Sequence, residues 1–435
     1  MAITPYEIDF NFRIFSVRAR QIIDSRANPT IEVEVLTEGY GVGIFAAPAG
    51  ASRGKFEAWE KRDSNDKRFK GKGVYSAVKI VNEEVASALV GMDARNQWEI
   101  DQKLIELDGT PNKSRIGGNA IVATSIATAL AAADTYGLPF FRYIGGLNAN
   151  LLPTPFMNII NGGKHAGNEL AIQEFLIVPG GADSFSEAIR IGCEVYYELK
   201  SYLKKEFGQN AINVGDEGGF APPMKKTEEA LNALMKAIET AGYDESSVRL
   251  ALDAAASSFY DKKKGVYVID GKELTREQLL DYYIDLVNRY PIISIEDGFY
   301  EEDFNAFEEM TQKIGNRILI IGDDLFVTNI QRLEKGIEMG AANAILIKPN
   351  QIGTLSETIE TVNLAFRYGY KTMMSHRSGE TEYETIADLA VGLRTGMIKT
   401  GAPARGERTV KYNRLIRIEE LLGSDARFLG FKIIK

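Results

Sequence analysis

The chain has a single cysteine, Cys193, in 435 residues. One thiol excludes an internal disulfide framework, and a reducing compartment is the expectation. Two histidines, His165 and His376, lie too far apart in sequence to suggest a zinc site by themselves. Long apolar runs are missing as well. The least polar stretch, Ala120 to Ala133, is 14 residues long and still holds Thr124, Ser125 and Thr128. That falls short of the roughly 20 residues that span a bilayer and reads as a buried helix. The opening MAITPYEIDFNFR carries acidic side chains and no apolar core, unlike a signal peptide. Basic excess is absent too: 51 Lys and Arg against 60 Asp and Glu leave a charge of −9. No broad positive face is available for nucleic acid or anionic membrane. The expectation is a soluble cytoplasmic protein with no membrane span and no nucleic-acid partner.

What is present suits a globular enzyme. The apolar share is 45% and the charged share 26%, which excludes a disordered chain. Ile31, Val33 and Val35 alternate with Glu32 and Glu34, the period of a half-buried antiparallel strand. Gly39-Tyr40-Gly41 offers a turn, and residues 42–47 return as its partner. Helical patterns over 74–90 and 119–136 complete an α+β capping domain, residues 1–140. From 150 to 435 the rhythm changes to short apolar runs that end in a polar residue and are followed by helices. Six such ends are Asp253, Glu296, Asp323, Lys348, His376 and Lys399, spaced 23 to 43 residues apart. A strand, a helix and two loops need about that spacing, so the fold class is α/β with a parallel sheet. Recurring polar strand ends favour a TIM-type (β/α)8 barrel over an open sheet, because only a closed ring aims every strand at one mouth.

Two glycine-rich motifs lead nowhere. Gly50 to Phe56 is one residue short of a phosphate loop and has Phe56 where a Ser or Thr belongs, and Gly39, Gly41 and Gly43 do not fit the dinucleotide fingerprint. The carboxylates say more. Asp253, Glu296 and Asp323 at one mouth would repel unless a cation joined them, and oxygen-only ligands favour Mg²⁺ over zinc. Each of the three could instead cap the helix that follows its strand. A lysine beside a dication or other cations, as Lys348 or Lys399 would be, has its pKa depressed toward the range of a base; either could instead be a solvated lysine at a strand end. Arg377 and Ser378 beside His376 suit a phosphate or carboxylate. The Gly-rich segments 161–169 and 214–223 carry His165 and the pair Asp216–Glu217, either functional loops or plain turn chemistry.

In this order the blocks resemble the enolase family over the whole chain. They run from ARQIIDSRANPTIEVEV through NIINGGKHAGNELAIQEF and NVGDEGGFAPP to SIEDGF, GDDLFVTN, IKPNQIGTLSE, MMSHRSGETE and IKTGAPARGERTVKYNRLIRIEE. The resemblance implies an N-terminal cap and a barrel whose first units depart from regular βα order. It implies reversible dehydration of 2-phospho-D-glycerate to phosphoenolpyruvate with two Mg²⁺ per site, the second arriving with substrate. Asp253, Glu296 and Asp323 match the ligands of the first ion, and Ser52 on a mobile loop of the cap matches a ligand of the second. Lys348 matches the base, Glu217 the acid, and Lys399 a contact to the substrate carboxylate. His376, Arg377 and Ser378 match the phosphate side; His165, Gln173 and Glu174 match the opposite wall. A homodimer or ring of dimers is implied in the same way. Alternatives are a superfamily enzyme acting on another carboxylate, or a scaffold or surface-binding protein of the same fold.

Departures from the family pattern are Ala27 for Gly, Ala49 for Ser, Arg53 for Thr, Gly298 for Pro, Pro349 for Val, and Tyr383-Glu384 for Asp-Thr. Arg53 carries the clearest expectation. A guanidinium ~8 Å from a dication in a wet site repels it by roughly 1 kcal/mol, while it attracts a substrate phosphate.

Overall fold

The computed structural model describes residues 10–51 and 53–434; Ser52 lies outside the described residues. Three antiparallel strands, β1 (Ile14–Ile23), β2 (Pro29–Thr37) and β3 (Val42–Ala46), form the first sheet in that order. Ile31, Val33 and Val35 are fully buried, as their alternation requires. Glu32 stands opposite Arg20 in the ladder and accepts from its guanidinium at 2.6 Å. The helix Gly118–Thr135 lies against this sheet with nearly all its residues buried. Gly41 and Gly43 permit that approach: a Cβ on Gly43 would sit 1.9 Å from the Ala127 carbonyl oxygen, and one on Gly41 2.5 Å from that of Ala131. The glycines that failed as a dinucleotide motif are there for helix packing. Among the described residues no single helix is long and apolar enough to cross a membrane.

Eight further strands close a barrel: β4 (Thr154–Asn161), β5 (Glu174–Val178), β6 (Arg249–Asp253), β7 (Ile292–Glu296), β8 (Leu319–Gly322), β9 (Ala344–Ile347), β10 (Lys371–Ser375) and β11 (Gly396–Lys399). The fold is therefore α/β, a TIM-type barrel with an N-terminal α+β portion. Neighbouring strands are parallel except β5, which runs antiparallel to both β4 and β6. β4 passes to β5 without a long helix, and the helices Phe185–Phe207 and Thr227–Thr240 then precede β6. This is the irregular start that the resemblance implies. Phe156, Leu176, Ile293, Leu346, Met373 and Met397 are among the side chains filling the barrel interior, so it is a packed core and not a pore.

The helices outside follow their sequence signals. Thr275 and Gln278 form a reciprocal capping box before Arg276–Arg289, whose Leu279, Leu280, Tyr283 and Val287 are buried. Pro349 occupies the first position of the short helix Pro349–Ile352. It needs no N–H there, and it favours the extended backbone seen at Lys348.

Candidate active site

Barrel closure brings the polar strand ends to one mouth. Asp253, Glu296 and Lys399 are the last residues of β6, β7 and β11, while Asp323, Lys348 and His376 each follow their strand by one residue. Glu174 reaches the same mouth by the opposite route. It begins β5, and because β5 is reversed, its start lies level with the other strands' ends. One cleft is lined by Asp253, Asp323, Lys348, His376, Lys399 and Glu174 with His165, Gln173, Glu217, Arg377 and Ser378, and by Gly50 and Ala51 from the first portion of the chain, while Glu296 lies behind Lys399. The loop bearing Gly50 and Ala51 is tied down by reciprocal backbone bonds of 2.8 Å between Ala49 and Gly379. The Ala51 N–H also donates to Ser378 Oγ at 2.5 Å. Ser52, the expected ligand of a second ion, falls outside the described residues.

Two lysines sit among the carboxylates. Lys399 Nζ donates to Asp253 at 3.0 Å and Glu296 at 2.8 Å, and Glu174 lies 3.1 Å away. Burial opposes its charge, yet Asp253, Glu174 and Glu296 outweigh burial and hold the ammonium well above the ordinary lysine range. Lys348 Nζ donates to Asp323 Oδ2, whose other oxygen accepts from Gln351 Nε2 at 2.8 Å. Burial alone would lower the Lys348 pKa; Asp323 reverses the sign and raises it. Each lysine thus faces carboxylates more closely than it faces other cations; the depression expected beside a dication concerns the site with that ion bound.

Negative charge still exceeds positive. Burial, then Asp253, push Glu296 well above the usual carboxylate range, and burial, then Asp323, push Asp324 to about 8. Such a buried, all-oxygen surplus fits a hard divalent cation. Asp297, Asp323 and Asp324 bring one oxygen each within 4.8 Å of one another. Asp297, however, spends both oxygens on backbone donors, the N–H groups of Asp323 at 2.9 Å and Asp324 at 2.7 Å. It braces the turn after β8 and leaves Asp323 to face the cleft.

His165, Glu174 and Glu217 make a second cluster, which includes an imidazole and so suits a hard cation less well. His165 Nδ1 is 3.6 Å from both glutamates. Asn158 Nδ2 donates to Glu217 Oε2 at 2.9 Å, and His376 Nε2 lies 3.4 Å from that oxygen. Burial, then Glu217, drive Glu174 well up; for Glu217, burial is overcome by His376 and His165, and its pKa falls well down. The two carboxyls act as a pair in which one proton is favoured on Glu174. Gln173 Nε2 reaches Asp253 Oδ2 at 3.4 Å.

Several groups here were missed by reading strand ends. Glu57 pairs with buried Arg377 at 3.0 Å, 320 positions away. Arg408, Asn158, Gln351 and Asp297 likewise bond to expected site residues. Only Asp297, beside Glu296, carried a positional signal. The half-exposed Arg53 guanidinium pairs with Glu60, which takes Arg62 as well. The charge that should repel a dication is partly cancelled by Glu60.

The chain matches a family model described as "Enolase, N-terminal domain" over residues 14–144 and one described as "Enolase, C-terminal TIM barrel domain" over 149–435. It is 59% identical over 416 residues to a protein named Enolase from Methanocaldococcus jannaschii, covering 96% of this chain and 97% of that protein. It is 57% identical over 417 residues to one of the same name from Methanopyrus kandleri, covering 96% and 97%. A third, from Methanosarcina acetivorans, is 56% identical over 418 residues and covers 96% of each chain.

Proposed function

The chain belongs to the enolase family, and from that premise we propose that it reversibly dehydrates 2-phospho-D-glycerate to phosphoenolpyruvate. The observation carrying this reading is that Lys348 and Glu217 line one cleft with the buried carboxylates and with Arg377 and Ser378. A lysine base, an acid and a phosphate-binding side are the three things the reaction requires.

Asp253, Glu296 and Asp323 would hold one Mg²⁺ and Ser52 a ligand position of a second. Bound there, the ions would neutralise these carboxylates and stabilise the negative charge that grows on the substrate carboxylate. Enolase-superfamily enzymes pair a Lys or His base with Mg²⁺. Lys348 takes the C2 proton, which requires it first to lose the proton that Asp323 holds on it. Lys399 pairs with the substrate carboxylate. Arg377 and Ser378 take the phosphate, with His376 beside them on that side of the cleft and Arg377 prealigned by Glu57 and by Asn350 at 3.1 Å. Glu217 assists hydroxide departure from C3, drawing on the proton it shares with Glu174, while His165 and Gln173 fix that wall.

Residues 1–140 serve as the cap carrying the Ser52 loop and residues 150–435 as the catalytic barrel. The working form is a cytoplasmic homodimer or ring of dimers. The test is enol absorbance on addition of 2-phosphoglycerate, with and without Mg²⁺. Mg²⁺-dependent growth of the signal is expected; no signal at any Mg²⁺ concentration would refute the assignment.

A further inference from the structure

Arg408 has the largest fully buried side chain in the described protein. It lies in the first turn of the helix Gly406–Leu422 and has one loose ion pair, Glu407 Oε1 at 3.6 Å from Nε, with no carboxylate hydrogen-bonded to it. Its donors go elsewhere. Nη1 donates to the Arg377 carbonyl oxygen and meets His376 Nδ1, both at 2.6 Å. Nη2 donates to the carbonyl oxygens of Ser378 at 2.6 Å and Asp216 at 3.0 Å. One guanidinium thus spans the 376–378 loop and the turn that carries Glu217. Gly401, at φ +81, lets the chain pass beside it: a Cβ there would meet Arg408 Cδ at 3.0 Å and the Glu217 carbonyl oxygen at 2.6 Å.

Arginine has five N–H donors and no acceptor. His376 Nδ1 must therefore offer a lone pair to Nη1, and the ring proton must sit on Nε2. That nitrogen is buried, makes no hydrogen bond, and has Glu217 Oε2 3.4 Å away. A doubly protonated ring would set N–H against N–H at Arg408. We propose that Arg408 is a positioning residue that locks His376 as the neutral Nε2–H tautomer and so makes it a fixed hydrogen-bond donor toward Glu217. The electrostatics agree: burial first, then the Arg408 charge, bring the His376 pKa down to about 4 against the pull of Glu217 and Glu380. These three are the charged groups facing the ring. Arg408 touches none of the reacting atoms; it acts through His376 and through the two loops it joins.

The consequence for catalysis rests on the proposed dehydratase reading, in which Glu217 is the acid. The tautomer does not, and that separates the tests. With only two histidines in the chain, ¹⁵N-histidine labelling gives two ring signals, assigned by a His165→Gln variant. Without substrate, from about pH 6 to about pH 8, wild-type His376 should show a proton on Nε2 alone. In Arg408→Met the ring should gain an Nδ1 proton at the acid end, and kcat should fall about 100-fold or more, the cost of disturbing an acid–base group. Arg408→Lys retains a donor to Nδ1; it should keep the Nε2–H signature and lose less activity than Arg408→Met. An Nδ1–H or doubly protonated His376 in the wild type at about pH 7 overturns the proposal. So does an Arg408→Met variant whose ring signals match the wild type throughout. If that variant does not fold, the wild-type spectrum and Arg408→Lys decide alone. The expected tautomer in a protein that fails to turn over 2-phosphoglycerate would refute the functional reading and leave this one standing.

Discussion

Replacing Lys348 with alanine tests the base and the metal site together. Lys348 is buried and pairs with Asp323 Oδ2. Without the ammonium, Asp323 keeps one hydrogen bond, from Gln351 to Oδ1, and the more distant attraction of Lys399 and Arg377, against the repulsion of Glu296 and Asp324. Stranding a buried charge costs about 3–5 kcal/mol. Protonation offers an escape, but lifting an ordinary carboxyl by about three pH units to reach neutrality itself costs ~4 kcal/mol. The expected loss is therefore about 3–4 kcal/mol in urea unfolding with chelator present. Added Mg²⁺ should recover much of it, since a cation on Asp323 replaces the missing charge and no longer competes with Lys348. In the same variant, exchange of the C2 proton of 2-phosphoglycerate with D₂O, followed by proton NMR, should fall by at least ~100-fold. A stability loss below ~1 kcal/mol in chelator would show that the Lys348–Asp323 pair does not hold as described. Exchange at the wild-type rate would remove Lys348 from the role of base.

Glu217→Gln should keep measurable C2 exchange while failing to release hydroxide, because proton abstraction precedes departure; loss of exchange with elimination intact would reverse the roles of Glu217 and Lys348. Ala27 holds φ +57 in the turn that Asp24 Oδ1 closes through the N–H groups of Arg26 and Asn28. Left-handed backbone costs a non-glycine roughly 1–2 kcal/mol, and glycine gives back roughly 0.5–1 of that in unfolded-state freedom. Ala27→Gly should thus raise the unfolding temperature by roughly a degree or two, and an unchanged or lower midpoint would refute the strain. For Glu380, burial is outweighed by Lys411 at 2.9 Å and by Arg408, and the folded pKa lies below its ordinary value. Its stabilisation is then full above the unfolded pKa near ~4.3 and disappears as pH falls through the lower folded value. Burial carries Lys411 down as well, despite Glu380, so the pair is assessed from its acid limb. Glu380→Gln should be less stable than wild type near neutrality, with the gap closing in acid; a gap that is constant with pH would show that the charge is not what matters.

The sequence by itself determined where the barrel strands end. A strand running into a closed ring must deliver its final side chain to the common mouth, so an apolar run ending in Asp253, Glu296 or Lys399 already states a direction. The alternation around Val33 determined the first sheet for a similar reason, since one face of that sheet must be buried. Tertiary structure decided what those side chains meet. Glu174 was invisible to the strand-end rule because it starts a strand that runs backwards. Arg408 ends no strand and carried no signal in the sequence, and only the approach of two distant loops makes it a fully buried donor to four acceptors. The same holds for the two lysines: which carboxylate lies a hydrogen bond from Lys348 or Lys399 is a matter of ångströms between strands, and no strand-end pattern states it.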